Sequence, residues 1–159
     1  MIWQFGCLLY RLVRWGLGAV FIYAGVLKIS DLEVFAVLIG AYGLLPEFLL
    51  LPAAVFLASL EIAAGFGLLF DLRGSLAAVT GMLLLFIVVL SYGLWMGLDV
   101  DCGCFGPDDP EAEAFHGLRA SLYRDLVMLG GVVFIYWWRR FSGIVPVPVG
   151  SIIFAKRRK

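Results

Sequence analysis

Two thiols one glycine apart are the clearest chemistry in this 159-residue chain, in the run Asp101-Cys102-Gly103-Cys104-Phe105-Gly106-Pro107. A disulfide between residues two apart closes a very small ring, which is strained unless the intervening residue takes unusual dihedrals, and Gly103 permits them. Strained, exposed pairs are the labile ones that exchange. A ring this small restrains little of the unfolded chain, so it adds little stability. The spacing therefore predicts thiol–disulfide exchange at Cys102 and Cys104. Two other readings stay open: a structural disulfide, and a copper or zinc site, since paired thiolates suit Cu(I) and Zn(II). For a metal, His116, the chain's single histidine, would be a third ligand and Asp101 a fourth. His116 could equally act as a base near the thiols or simply be solvated.

The thiolate is the nucleophile, and cations or helix N-termini favour it. Here the pair follows a helix C-terminus and lies beside Asp99 and Asp101, both of which disfavour it. Arg119 and Arg124 are the compensating cations on the same side. Cys104, further from the helix end and the two acids, is the expected attacking thiol. Cys7 stands alone near the N-terminus and reads as an inert small side chain.

Glu61 falls in the middle of an apolar run, where inserting an ionised acid costs on the order of 3 kcal/mol. It must be protonated, paired or functional. It reads either as a proton-transfer group or contact to a quinone head group, or as a packing acid bonded to Tyr23 or Tyr92. Lys28 reads as a snorkelling anchor, paired with Asp31, and Arg124 with Asp125 as an interfacial pair. Gly16, Gly18, Gly65, Gly67, Gly130 and Gly131 are expected to let helices approach closely.

The elements that must position these residues follow from composition. Of the chain, 63% is hydrophobic and 15% charged, with a mean hydropathy of +1.01, whereas soluble domains run near 45–50% apolar and about 25% charged. That excludes an ordinary soluble domain and a disordered chain. Twelve Lys and Arg balance twelve Asp and Glu, so no basic face for nucleic acid exists. An all-α membrane protein remains, since lipid requires every backbone polar group to be paired internally. Runs of about 20 apolar residues predict four transmembrane helices, at about 10–29, 48–70, 75–98 and 121–140. The first, with Arg11 and Arg14 at its start, could pass for a signal peptide. No small-x-small cleavage site follows Leu27, and Lys28 to Asp31 read as a helix leaving the membrane. Residues 32–45 would reach only about 21 Å as a helix, so they predict an extra interfacial or re-entrant helix. Pro146 and Pro148 break residues 144–155, predicting an interfacial segment.

Cytoplasmic flanks keep Lys and Arg. With the N-terminus inside, nine of the twelve positives lie in the cytoplasm, namely Arg11, Arg14, Arg73, Arg139, Arg140 and the tail Lys156, Arg157, Arg158 and Lys159, while ten of the twelve acids lie outside. Both termini are therefore expected in the cytoplasm, with a large outer loop at 99–118. The organisation predicted is one membrane domain, 1–143, followed by an interfacial segment and basic cytoplasmic tail, 144–159.

The residues Phe21, Tyr23, Ala24, Gly25, Lys28 and Asp31, then Phe35, Tyr42 and Pro46, then Glu61 and Gly67, then Cys102-Gly103-Cys104-Phe105-Gly106 and Arg124-Asp125 resemble the MauE branch of the DoxX-like membrane proteins. The likeness covers roughly 11–140, and the cysteine element is its most specific part. It implies a four-helix bundle, distantly similar in plan to DsbB and vitamin K epoxide reductase, with the cysteine pair at the outer face. It also implies disulfide exchange beside a periplasmic thioredoxin-like partner, as in methylamine dehydrogenase maturation for the family's named member, while relatives with the same pattern lie outside that pathway. DsbB-type proteins relay electrons through a second cysteine pair, and this chain has no second outer pair. Any relay would run through Cys102 and Cys104 alone or through a partner's cysteines, and a quinone is a possible cofactor. The expectation is thus a bacterial inner-membrane, multi-pass thiol–disulfide redox protein, with Cys102 and Cys104 catalytic and Glu61, Lys28, Arg124, Asp125 and Gly103 supporting. The alternatives are a non-catalytic DoxX-like subunit of a respiratory complex and a metal-handling protein.

Overall fold

Long runs of apolar residues without a helix breaker leave the backbone one way to satisfy its polar groups, and the chain takes it. A computed structural model describes residues 2–97, 118–144 and 146–147. Five helices occur among them: α1 Ile2–Ser30, α2 Leu32–Ala41, α3 Glu47–Leu69, α4 Ser75–Met96 and α5 Leu118–Ser142. Three contain segments long and apolar enough to cross a membrane: Gly6–Ser30, Glu47–Leu69 and Ser75–Met96. The fourth expected span lies in α5, which starts and ends beyond the expected 121–140 and carries Arg119, Arg124, Asp125, Arg139 and Arg140. Its charges keep it out of that apolar set.

α1 begins well before residue 10, because residues 2–9 hold nothing that stops a helix. Ten residues make α2 about 15 Å long, too short to cross a bilayer. Pro46, extended at φ −68° and ψ 151°, caps α3. Gly97, left-handed at φ 69°, ends α4, where its N–H meets the carbonyls of Gly93 and Leu94.

α1 and α3 run antiparallel and form the most extensive interface. Small residues allow it. A Cβ on Gly65 would stand 2.8 Å from the Gly18 carbonyl oxygen, and one on Gly25 would stand 2.9 Å from that of Ala58. Gly131 and Gly67 are also closely approached, whereas Gly16 and Gly130 have open space around them and hold no helix contact. Those last two correct the expectation that all six glycines serve packing. α4 and α5 pack together, and α5 also meets α1, around a core that includes Leu17, Phe21, Leu68, Val79, Leu83 and Ile135. Cys7 packs at the edge of this core. Phe35 and Ala36 of α2 lie against Ala54 of α3.

The outer faces are apolar. Phe48 is 77% exposed, Val127 76% and Val88 64%, where the largest apolar patch on a soluble monomer covers only a few hundred Å². Helices with a small-residue seam inside and large apolar side chains outside are built for lipid.

The turn between α3 and α4 is pinned by charge. Asp71, at φ 56°, pairs with Arg139 of α5, lies 3.5 Å from Arg14 of α1 and accepts from the Tyr10 hydroxyl at 3.4 Å. Arg139 Nε donates to the same hydroxyl at 3.1 Å, and the Arg14 guanidinium lies 5.8 Å from the Tyr10 ring centre. Val147, in the segment read as interfacial, forms a parallel bridge with Leu72. Its N–H donates to the Asp71 carbonyl, and its carbonyl accepts from Arg73 N–H. The rest of residues 148–159, the basic tail included, lies outside the described residues.

Candidate functional site: a buried charged centre beside an apolar cavity

One turn beyond the Gly25–Ala58 contact, α1 carries Lys28, while α3 carries Glu61 three residues after Ala58. The helices are antiparallel, so these steps run in opposite directions and the two side chains meet by leaning back toward each other across the contact. Helical side chains lean toward the N-terminus of their own helix, so Lys28 reaches back along α1 to Glu61, whose Cβ borders Gly25. Lys28 Nζ donates to Glu61 Oε1, and each side chain is only 2% exposed. The ammonium also lies over two rings, 5.2 Å from the centre of Phe35 and 4.8 Å from that of Phe86. Lys28 is in the last turn of α1, where a cation is favoured by the helix dipole.

This corrects two expectations. Lys28 is not a snorkelling anchor paired with Asp31, because its side chain points into the bundle, and Asp31 is exposed. Glu61 is held by Lys28, a partner that was not expected for it. A cation opposite the acid offsets much of the desolvation that an isolated charge would suffer.

α5 supplies a second pair to the same region. Arg124 Nε and Nη2 both lie 3.2 Å from Asp125 Oδ1, and Asp125 is 1% exposed. The pair was expected at the interface, but α5 begins at Leu118, so both residues fall in its second turn and Asp125 turns inward. Arg124 is thereby engaged by its neighbour. Lys28, Glu61 and Arg124 line a space of about 20 Å³ with Phe86 and Met128, room for one water. Next to it lies a cavity of about 270 Å³, walled by Phe35, Tyr42, Phe86 and Leu90, with Lys28 and Asp125 as its charged groups. Sequence reasoning missed this cavity, since no single helix encodes a gap between α2 and α4.

Tyr42, Leu90 and Leu118 pack together where α4 ends and α5 begins. The C-terminal end of α4 and the N-terminal end of α5 therefore lie at one end of the bundle. Cys102, Gly103, Cys104 and His116, with the outer loop expected at 99–118, lie outside the described residues apart from Leu118 itself. No group of three or more potential metal ligands occurs among the described residues.

Apolar-faced helices around a buried charged centre define a multi-pass membrane protein. The family model described as Methylamine utilisation protein MauE matches residues 7–138. This chain belongs to that family. No curated protein and no solved structure matches it.

Proposed function

We propose that this chain is a thiol–disulfide redox protein of the bacterial inner membrane, and that Cys102 and Cys104 exchange disulfides with a periplasmic thioredoxin-like partner during maturation of an exported enzyme. The family description attaches this class of membrane protein to methylamine utilisation, and an enzyme of that process is the first client to test. In this reading four helices cross the membrane, α1, α3, α4 and α5, with both termini inside and α2 packed on the bundle.

The observation that supports the reading is the packing of the last turns of α4 and the first turn of α5 around Tyr42, which sets the two helix ends that flank the CxC segment in sequence at one end of the bundle. A reactive pair between two such helix ends would act at that face of the bilayer, where an oxidising compartment favours disulfides. The four-helix crossing is supported by how α5 handles its charges: Asp125 is buried beside Arg124 and Arg139 is paired with Asp71, so α5 exposes fewer charges to lipid than its sequence suggests. The N-in orientation is supported by Arg14, Arg139 and Asp71 meeting at one end of the bundle, the end that the Lys and Arg distribution assigns to the cytoplasm.

Cysteine variants test the exchange. Cys104→Ser is expected to abolish mixed disulfides with a thioredoxin-like partner, and Cys102→Ser to trap them, read on non-reducing gels after acid quenching. The reverse pattern would exchange the two roles. Full function in the Cys102→Ser/Cys104→Ser double variant would instead identify a non-catalytic membrane subunit, and stoichiometric copper or zinc in the purified protein would identify a metal-handling site.

A further inference from the structure

The network around Asp71, at the end of the bundle away from Lys28, is short of one anion. Two guanidiniums share a single carboxylate: Asp71 Oδ1 accepts from Arg139 Nη2 and lies 3.5 Å from Arg14 Nη1. Arg14 Nε and Nη1 are buried with no hydrogen-bond partner among the described residues, and donors left in that state are costly. Tyr10 offers Arg14 its ring face, because its hydroxyl is engaged by Asp71 and Arg139. Residues 1–30 and 126–159 hold no Asp or Glu, so neither end of the chain carries a carboxylate side chain that could complete the network. Among the described residues Asp71 is the only acid at this end, against Arg11, Arg14, Arg73, Arg139 and Arg140. We propose that this end of the bundle binds the phosphodiester of one anionic phospholipid, held by Arg14 and Arg11 of α1 as the second anion of the network.

Arginine suits that ligand, since its planar fork of N–H donors matches the oxygens of a phosphate. Arg11 is exposed and stands three residues before Arg14, so the two are neighbours one helical turn apart. Arg14 keeps 12% exposure, which leaves its guanidinium open to a group arriving from outside. The apolar surface around the arginines decides that this group is a lipid. Leu8 and Leu12, flanking Arg11, and Trp15, next to Arg14, are all more than half exposed, and so is Phe141 beyond Arg139 and Arg140. Arginines with exposed apolar and aromatic side chains on both sides belong at headgroup depth in a bilayer, where the phosphates are those of lipids. The headgroup must carry net negative charge, because the ammonium of a zwitterionic lipid would face the exposed Arg73 and Arg140. The inference concerns this end of the bundle alone and stands whether or not Cys102 and Cys104 exchange disulfides.

The test uses the full chain purified in detergent with equal amounts of phosphatidylglycerol and phosphatidylcholine, the lipids retained per chain being counted by native mass spectrometry. One phosphatidylglycerol is expected, preferred at least tenfold over phosphatidylcholine and not displaced by millimolar inorganic phosphate. Arg11→Gln/Arg14→Gln is expected to lower that preference about tenfold, whereas Arg119→Gln, which removes an exposed arginine at the other end of the bundle, leaves it unchanged. Should the double variant fail to fold, Arg11→Gln alone leaves every contact of Asp71 in place and is expected to weaken retention about fivefold. Equal retention of the two lipids, displacement by inorganic phosphate, an equal loss in Arg119→Gln, or unchanged retention in folded Arg11→Gln would each overturn the proposal.

Discussion

Lys28 and Glu61 carry the residue-scale argument. Breaking a buried ion pair by removing one partner costs about 3–5 kcal/mol, whereas replacing both by apolar groups of similar volume is often close to neutral. Lys28→Met alone is therefore expected to lower the thermal midpoint in detergent sharply, and Lys28→Met/Glu61→Leu to recover most of the loss. If the single and double variants melt alike, the pair is not the unit described here. A need for some partner at Glu61 was legible in the sequence, because a bare acid in an apolar run is too costly to leave alone. Its partner was not. Lys28 near a helix end has an ordinary surface role available, and only the register of α1 on α3 excludes it.

At the scale of elements, the seam between α1 and α3 and the pinned α3–α4 turn set the register that brings those side chains together. Gly25→Leu would drive a side chain into the Ala58 carbonyl and Ile62, and overpacking of this kind costs about 1–3 kcal/mol. The same change at Gly16 or Gly130, which have no neighbour within 4 Å, is expected to leave the melting temperature nearly unchanged. Equal losses at all three positions would rule out the seam. Asp71 gathers Tyr10, Arg14 and Arg139, so Asp71→Ala leaves two partly buried guanidiniums without their anion. Asp71→Asn keeps the side-chain oxygen and tolerates the left-handed backbone. The alanine variant should lose more stability than the asparagine variant in a detergent melt, and the opposite order would show that the anion matters less than the turn. Helix positions were readable from apolar run lengths to within a few residues for α3 and α4. The start of α1 was not, because residues 2–9 add little to the apolar span yet hold nothing that stops the helix.

For the whole molecule, the two ends of the bundle differ in chemistry. One end holds the Asp71 network and the bridge between Leu72 and Val147. The other holds the packed junction of α4 and α5 beside the Lys28–Glu61 pair and its cavity. Family membership and the class of membrane helix bundle were visible in the sequence because apolar runs and a short cysteine motif are local signals. The cavity and the junction over it were hidden because they arise from helices far apart in the chain. The junction sets the facing ends of α4 and α5 at one end of the bundle, and the sidedness and redox state of the CxC segment between them are what the proposed function stands on.

The most direct measurement is the redox state of Cys102 and Cys104 in intact cells, quenched with acid and labelled with a mass-tagged maleimide before and after reduction, with a membrane-impermeant maleimide run in parallel. The account predicts a pair reached by the impermeant reagent from outside, and a shift between oxidised and reduced forms when the respiratory chain is blocked. A pair locked in one state, or labelled only after the membrane is opened, would contradict it.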